Sequence, residues 1–169
     1  MTRLIKVLVT GPFGAGKSRL IRTISEIDVV STERRLTRPG GDGKGHTTVA
    51  MDYGRVTLGD TVVHLTGTPG QERFDFMWDI LSQETDAVLV VVDSTARDTF
   101  DGARELLTRF AGLRVPFMVA ANKQDLPGAA SLREVQSAVA PGAEGAALPC
   151  VGTRASSVRQ VLMRLIEEL

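Results

Sequence analysis

Apolar and polar positions follow two rhythms along the chain. The runs "LIKVLVT" (4–10), "DAVLVVVD" (86–93), "PFMVAAN" (116–122) and "AALPC" (146–150) are nearly continuous in apolar residues, as expected of parallel strands covered on both faces. A helical rhythm follows each of them. Leu20, Ile21, Ile24 and Ile27 fall on one stripe, and Phe100, Ala103, Leu107 and Phe110 on a second. "SLRE" at 131–134 is a capping box ahead of Val135 and Val139, and Val158, Val161, Leu162, Leu165 and Ile166 mark a last helix. Strand and helix alternating over the whole length predict a doubly wound α/β sheet with helices on both faces.

One pair breaks the alternation. "TVAMDYGRVTL" and "TVVHLTG" are separated by Gly59-Asp60, a two-residue hairpin signal, so this edge of the sheet should be antiparallel. Before it, "STERRLTRPGGDGKGHT" is polar and rich in glycine and reads as a mobile loop.

Composition narrows the classes. The 169 residues are 43% hydrophobic and carry 20 basic against 20 acidic side chains, which suits one domain over 1–169 and favours neither nucleic acid nor an anionic membrane as a partner. A single cysteine, Cys150 in "ALPCV", excludes an internal disulfide and reads as a buried small hydrophobe. The first apolar run is too short for a signal peptide or a spanning helix and no lipidation signal is present. The expected setting is the cytoplasm, without an intrinsic membrane anchor. His46 and His64 have no acidic or cysteine companions at ligand spacing and are assigned no metal.

Two motifs carry chemistry. "GPFGAGKS", Gly11 to Ser18, stands after a predicted strand and before a predicted helix. In that context its glycines let backbone N–H groups curl around phosphates, the helix N-terminus adds partial positive charge, Lys17 reaches the β and γ phosphates, and the Ser18 hydroxyl can ligate magnesium. Gly11, Gly14, Ala15, Gly16, Lys17, Ser18 and Arg19 are the candidate phosphate contacts. "NKQD", Asn122 to Asp125, falls at the carboxyl end of a later strand, where open α/β sheets bind ligands. A carboxylate at 125 can accept from the ring N–H and exocyclic amine of guanine, a donor pair adenine lacks. Asn122, Lys123 and Asp125 therefore form the candidate base site.

In this order the two motifs resemble those of the Ras-like small GTPases, over essentially the whole chain. "TTVAMDYG", "GTPGQERF" and "FMWD" look closer to a bacterial branch that includes gliding-motility and actinobacterial conservon GTPases. The resemblance implies a phosphate-loop fold with a six-stranded, mostly parallel sheet and one antiparallel edge strand. It implies switch segments at about 31–48 and 67–78. Thr48 matches the switch threonine that senses the γ phosphate through magnesium, with Thr47 as its rival. Gly70 matches the glycine whose N–H meets the γ phosphate, and Gln71 the glutamine that orients the attacking water. The last guanine box departs from the family pattern, and the backbone N–H of Gly152 is left to bind the guanine oxygen.

A larger departure lies at "GTPG", 67–70. The family's D-x-x-G aspartate, which supports magnesium, is here Gly67. If Gly59 and Asp60 form the hairpin loop, Asp52 lies directly opposite Gly67 with its β-carbon roughly 5 Å away. Asp52 is then either the replacement support for magnesium or a solvated edge-strand residue. Arg34, Arg35 and Arg38 lie in the polar loop and could supply an arginine, although solvation accounts for them. Phe13 occupies a phosphate-loop position usually held by a small residue and could restrict an arginine inserted by a partner. Phe74, Phe76, Met77 and Trp78 suit either core packing or a partner surface.

The leading expectation is a molecular switch that binds GTP and GDP with magnesium and hydrolyses GTP slowly. The resemblance implies an activating or regulatory protein, with a roadblock-type domain as one candidate, and an effector. The rival is a catalytically weak GTP-binding interaction module. A metabolite kinase is disfavoured by the lack of an arginine-rich lid.

Overall fold

The computed structural model describes residues 2–37, 46–68, 83–112 and 114–169, with backbone alone over 32–37 and 46–50. Its elements are β1 (Arg3–Thr10), α1 (Lys17–Ile24), β2 (Val30–Thr37), β3 (His46–Leu58), β4 (Thr61–Gly67), β5 (Ala87–Asp93), α2 (Phe100–Gly112), β6 (Phe117–Asn122), α3 (Leu132–Val139), β7 (Ala147–Pro149) and α4 (Ala155–Glu167). They form the Ras-like phosphate-loop architecture, a mixed and mostly parallel sheet with helices on both faces.

Among the described residues the sheet has seven strands in the order β2-β3-β4-β1-β5-β6-β7, one more than the six expected. The additional strand is β2, which pairs antiparallel with β3 from Val30 opposite Tyr53 to Thr37 opposite His46. Antiparallel β3 is therefore flanked on both sides and is not an edge strand. Residues 31–37 and 46–47, expected in a mobile loop, lie in this ladder. Pairing with β3 supplies the hydrogen bonds, and the segment tolerates it because Val30, Thr32 and Thr37 are β-branched and the charges of Glu33, Arg34 and Arg35 suit an outermost strand.

Burial follows the pattern read from the apolar runs. In β5, Ala87, Leu89 and Val91 pack with α1 and α4, while Val88, Val90 and Val92 pack with α2 and α3, the period-two division of a strand buried on both faces. Phe100, Ala103, Leu107 and Phe110 form the buried stripe of α2, and Val158, Val161, Leu162 and Leu165 that of α4. Each buried Leu, Val or Phe contributes about 1.5–3 kcal/mol. Cys150 is fully buried, and burial pushes its thiol up to about 11.

Two helix expectations change in detail. Ile27 does not continue the α1 stripe: Ser25 turns extended and its Oγ is within 2.7 Å of the Ile27 carbonyl, ending the helix. The 131–134 capping box is half formed. Ser131 Oγ accepts from Glu134 N at 3.1 Å, but the Glu134 carboxylate is drawn off by a two-point ion pair with Arg97.

Candidate functional site

Strand β1 ends at Thr10, and the following loop turns into α1 with Gly16 as its N-cap at φ 100°. That left-handed conformation suits glycine, and a β-carbon there would stand 2.6 Å from Asn122 Nδ2. The helix start has no side-chain cap and no acidic residue in its first turn. Its leading N–H groups and the positive end of its dipole thus face the loop uncompensated, which is the physical basis of an anion site. Lys17 is buried, and its ammonium donates to the carbonyls of Gly11 at 2.6 Å and Pro12 at 3.1 Å. Burial lowers its pKa to about 8. Ser18 and Arg19 follow on the exposed side of the first turn, while Phe13 stands 84% exposed on the loop.

The guanine motif braces this loop directly. Asn122, at the end of β6, donates from Nδ2 to the Ala15 carbonyl at 3.0 Å. Lys123 donates to the Gly14 carbonyl at 3.0 Å and to Asp93 Oδ2 at 2.8 Å. It does so from φ 63°, a left-handed conformation that costs a non-glycine residue about 1–2 kcal/mol. Burial alone would raise the pKa of Asp93, but hydrogen bonds from Lys123 and Thr95 outweigh it and hold the carboxyl below its ordinary value. Gln124 donates to Ser94 Oγ at 2.8 Å and to the Ala130 carbonyl at 3.0 Å, fixing the loop that carries Asp125. Asp125 itself is exposed, and no hydrogen bond within the described residues occupies its carboxylate.

Asp93 and Gln124 escaped the sequence reading. Asp93 pairs in register with Asn122 at the carboxyl edge of the sheet, so an acid closing the apolar run "VLVVVD" was the available signal. Gly152 lies buried beside the Asn122 side chain. Its N–H donates to Asn122 Oδ1 at 2.8 Å, and the Val151 N–H donates to Ser157 Oγ at 2.8 Å. Among the described residues no hydrogen bond takes the N–H of Thr153, the next donor along this loop.

The hairpin register is the one its turn implies, with Asp52 opposite Gly67. Asp52 Oδ2 accepts from Ser18 Oγ at 2.5 Å, and Oδ1 accepts from Ser31 Oγ at 2.8 Å. The carboxylate therefore reaches the phosphate loop across the space beside Gly67. A β-carbon on Gly67 would lie 2.7 Å from Ile21 Cδ1 and 3.5 Å from Asp52 Cβ. Gly67→Asp is thus expected to destabilise the fold by about 1–3 kcal/mol through overpacking, with like-charge repulsion from Asp52 added. Urea denaturation reads this, Ile21→Val should recover part of the loss, and an unchanged midpoint for Gly67→Asp would refute the crowding.

Thr48 is not brought to this site. It sits in the β2–β3 ladder opposite Arg35, four residues before Asp52 and so about 13 Å away along the strand; Thr47 is farther still. Arg34 and Arg35 are strand positions in β2. Gly70, Gln71, Arg38, Phe74, Phe76, Met77 and Trp78 lie outside the described residues. No helix among the described residues is long and apolar enough to cross a membrane.

Residues 1–161 match the model of the ADP-ribosylation factor family. Among individual proteins, the chain is 33% identical over 122 residues to the uncharacterised protein MJ1339 of Methanocaldococcus jannaschii, covering 72% of this chain and 71% of that one. It is 29% identical over 147 residues to ADP-ribosylation factor-like protein 4D of Mus musculus, covering 80% of this chain and 66% of that protein. ADP-ribosylation factor-related protein 1 of Rattus norvegicus is 27% identical over 142 residues, and 65% of its length is spanned. The fold is similar to the Arl6 BBS3 small GTPase from Trypanosoma brucei, solved with the nucleotide analogue GppNp, at a TM-score of 0.71 and 19% identity over 98% of this chain and 96% of that one.

Proposed function

Because the chain belongs to the ADP-ribosylation factor family of guanine-nucleotide-binding switch proteins, we propose that it binds GTP and GDP with magnesium and hydrolyses GTP slowly. Membership corrects the resemblance to gliding-motility and conservon GTPases, since the family match spans residues 1–161. That resemblance rested on three short stretches, "TTVAMDYG", "GTPGQERF" and "FMWD", while the phosphate and guanine motifs answer to ligands common to every branch and favour none of them. The roadblock-type regulator expected on that basis loses its support.

The observation that carries the proposal is the clamp between the two motifs. Asn122 and Lys123 hold the Ala15 and Gly14 carbonyls, so the segment suited to read a base also shapes the loop suited to cradle its phosphates. In this reading the N–H groups of Gly14 to Arg19 bind phosphate oxygens. Lys17 turns from the Gly11 and Pro12 carbonyls to the β and γ phosphates. Asp125 pairs with guanine, and the free N–H of Thr153 replaces that of Gly152 at the guanine oxygen.

The residues present fit magnesium. Ser18 Oγ and Asp52 Oδ2 stand together as hard oxygen donors, and this cation takes one or two protein oxygens beside phosphate and water. When bound, it would neutralise charge on the β and γ phosphate oxygens. Gln71 would orient the attacking water and Gly70 would donate to the γ phosphate. Thr48 can take part only if its end of the β2–β3 ladder opens, which makes segment 31–48 a nucleotide-sensitive switch, with 67–78 as its companion. An activating protein and an effector would meet these segments. Without a supplied arginine, hydrolysis is slower by about three to five orders of magnitude.

A second reading, a GTP-binding module with little turnover, is favoured by the distance of Thr48 from Ser18 and Asp52. Single-turnover conversion of bound GTP across a magnesium titration, with ATP as control, separates the two. The expected result is magnesium-dependent GDP formation and none from ATP. Tight GTP binding without conversion supports the second reading, and equal binding of ATP would sink both.

A further inference from the structure

Ser31, Asp52 and Gly67 form a row across three strands, each directly opposite the next. Opposed residues in antiparallel pairs point to one face, so the Ser31 hydroxyl and the Asp52 carboxylate project side by side. The two carboxylate oxygens are divided: Oδ2 accepts from Ser18 Oγ at 2.5 Å and Oδ1 from Ser31 Oγ at 2.8 Å. On its other flank Asp52 meets Gly67, which has no side chain to hold it. Ser31 is therefore the neighbour in this row that fixes the carboxylate rotation.

We infer that Ser31 is a positioning residue for the magnesium site, holding Asp52 so that Oδ2 faces Ser18. This rests on the reading that Ser18 and Asp52 hold the cation. A carboxylate that contacts a metal is oriented by hydrogen bonds to its remaining lone pairs, and removing such a partner weakens metal affinity by about 10- to 100-fold. A carboxylate has about four lone-pair sites, so Ser31 can stay bonded to Oδ1 while Oδ2 meets the cation. Ser31 also belongs to β2, so the same hydrogen bond ties the outermost strand to the nucleotide site.

The test is the release rate of a fluorescent GDP analogue as a function of free magnesium, in the wild type, Ser31→Ala, Ser31→Thr and Asp52→Ala. Ser31→Ala is expected to raise the magnesium midpoint about tenfold and to leave release in EDTA at the wild-type rate. Ser31→Thr, which keeps a hydroxyl, should retain the wild-type midpoint. If Asp52→Ala shifts the midpoint and Ser31→Ala does not, the inference is overturned and the magnesium reading stands. A midpoint that moves in neither variant overturns the magnesium reading and the inference together. Faster release of Ser31→Ala in EDTA with an unshifted midpoint would mark Ser31 as merely structural.

Discussion

Asp125→Ala should lower affinity for GTP about 100- to 1,000-fold, the loss of two hydrogen bonds to a charged acceptor, and should leave the weak binding of ATP where it was. A site built to pair with a substrate's N–H groups rejects an analogue lacking them by about 10⁴ to 10⁵, and about 100- to 1,000-fold of that selectivity would vanish with the carboxylate. The effect should be confined to the base because Asp125 takes no part in bracing the loop. That work belongs to Asn122, through Ala15 and Gly152, and to Gln124, through Ser94 and Ala130. Displacement of a fluorescent GDP analogue by GTP and by ATP measures both affinities. A GTP-to-ATP ratio unchanged from wild type would remove Asp125 from base recognition.

The parts of this site legible in the sequence are those where one residue type answers one ligand group in a fixed local context. Gly11 to Ser18 sits between a strand and a helix, as its glycine spacing implies, with the loop leading into the helix N-terminus. The Asp52–Gly67 register was legible for a similar reason, because a two-residue turn leaves one pairing scheme for the strands that it joins. Strand β2 was hidden. "STERRLT" carries too many charges for a buried strand and has glycines close behind it, so local pattern favoured a loop until a partner strand supplied hydrogen bonds. Tertiary pairing overrode propensity there.

Contacts between distant segments were the other hidden part. Nothing in "NKQD" announces that Lys123 reaches Gly14 and Asp93, or that the Asn122 carboxamide claims the Gly152 N–H. These hydrogen bonds depend on strand order, which brings β5 and β6 beside the phosphate loop. The family branch was misread for a related reason. The branch was read from the short stretches "TTVAMDYG", "GTPGQERF" and "FMWD", whereas the lineage is carried by a match over residues 1–161.

Lys17→Ala should weaken nucleotide binding about 1,000-fold, the scale of losing charge-assisted hydrogen bonds to two phosphates, and should also erase a pH dependence present in the wild type. In the ligand-free protein burial lowers the Lys17 pKa to about 8, whereas bound phosphate requires the ammonium. Below pH 8 the group is already charged and binding owes it no pH dependence. Above pH 8 the free protein must take up a proton to bind, so wild-type affinity should fall about tenfold per pH unit. Folding stability responds in the opposite direction: from about pH 8 to the ordinary lysine value the unfolded chain binds the extra proton, so the burial cost fades as pH rises. Titration calorimetry of GDP binding from pH 7 to pH 9.5 in two buffers of different ionisation enthalpy measures affinity and proton uptake together. Flat wild-type affinity with no proton uptake would mean that Lys17 stays charged in the free protein, and that the Gly11 and Pro12 carbonyls, which hold its ammonium at 2.6 and 3.1 Å, compensate for its burial.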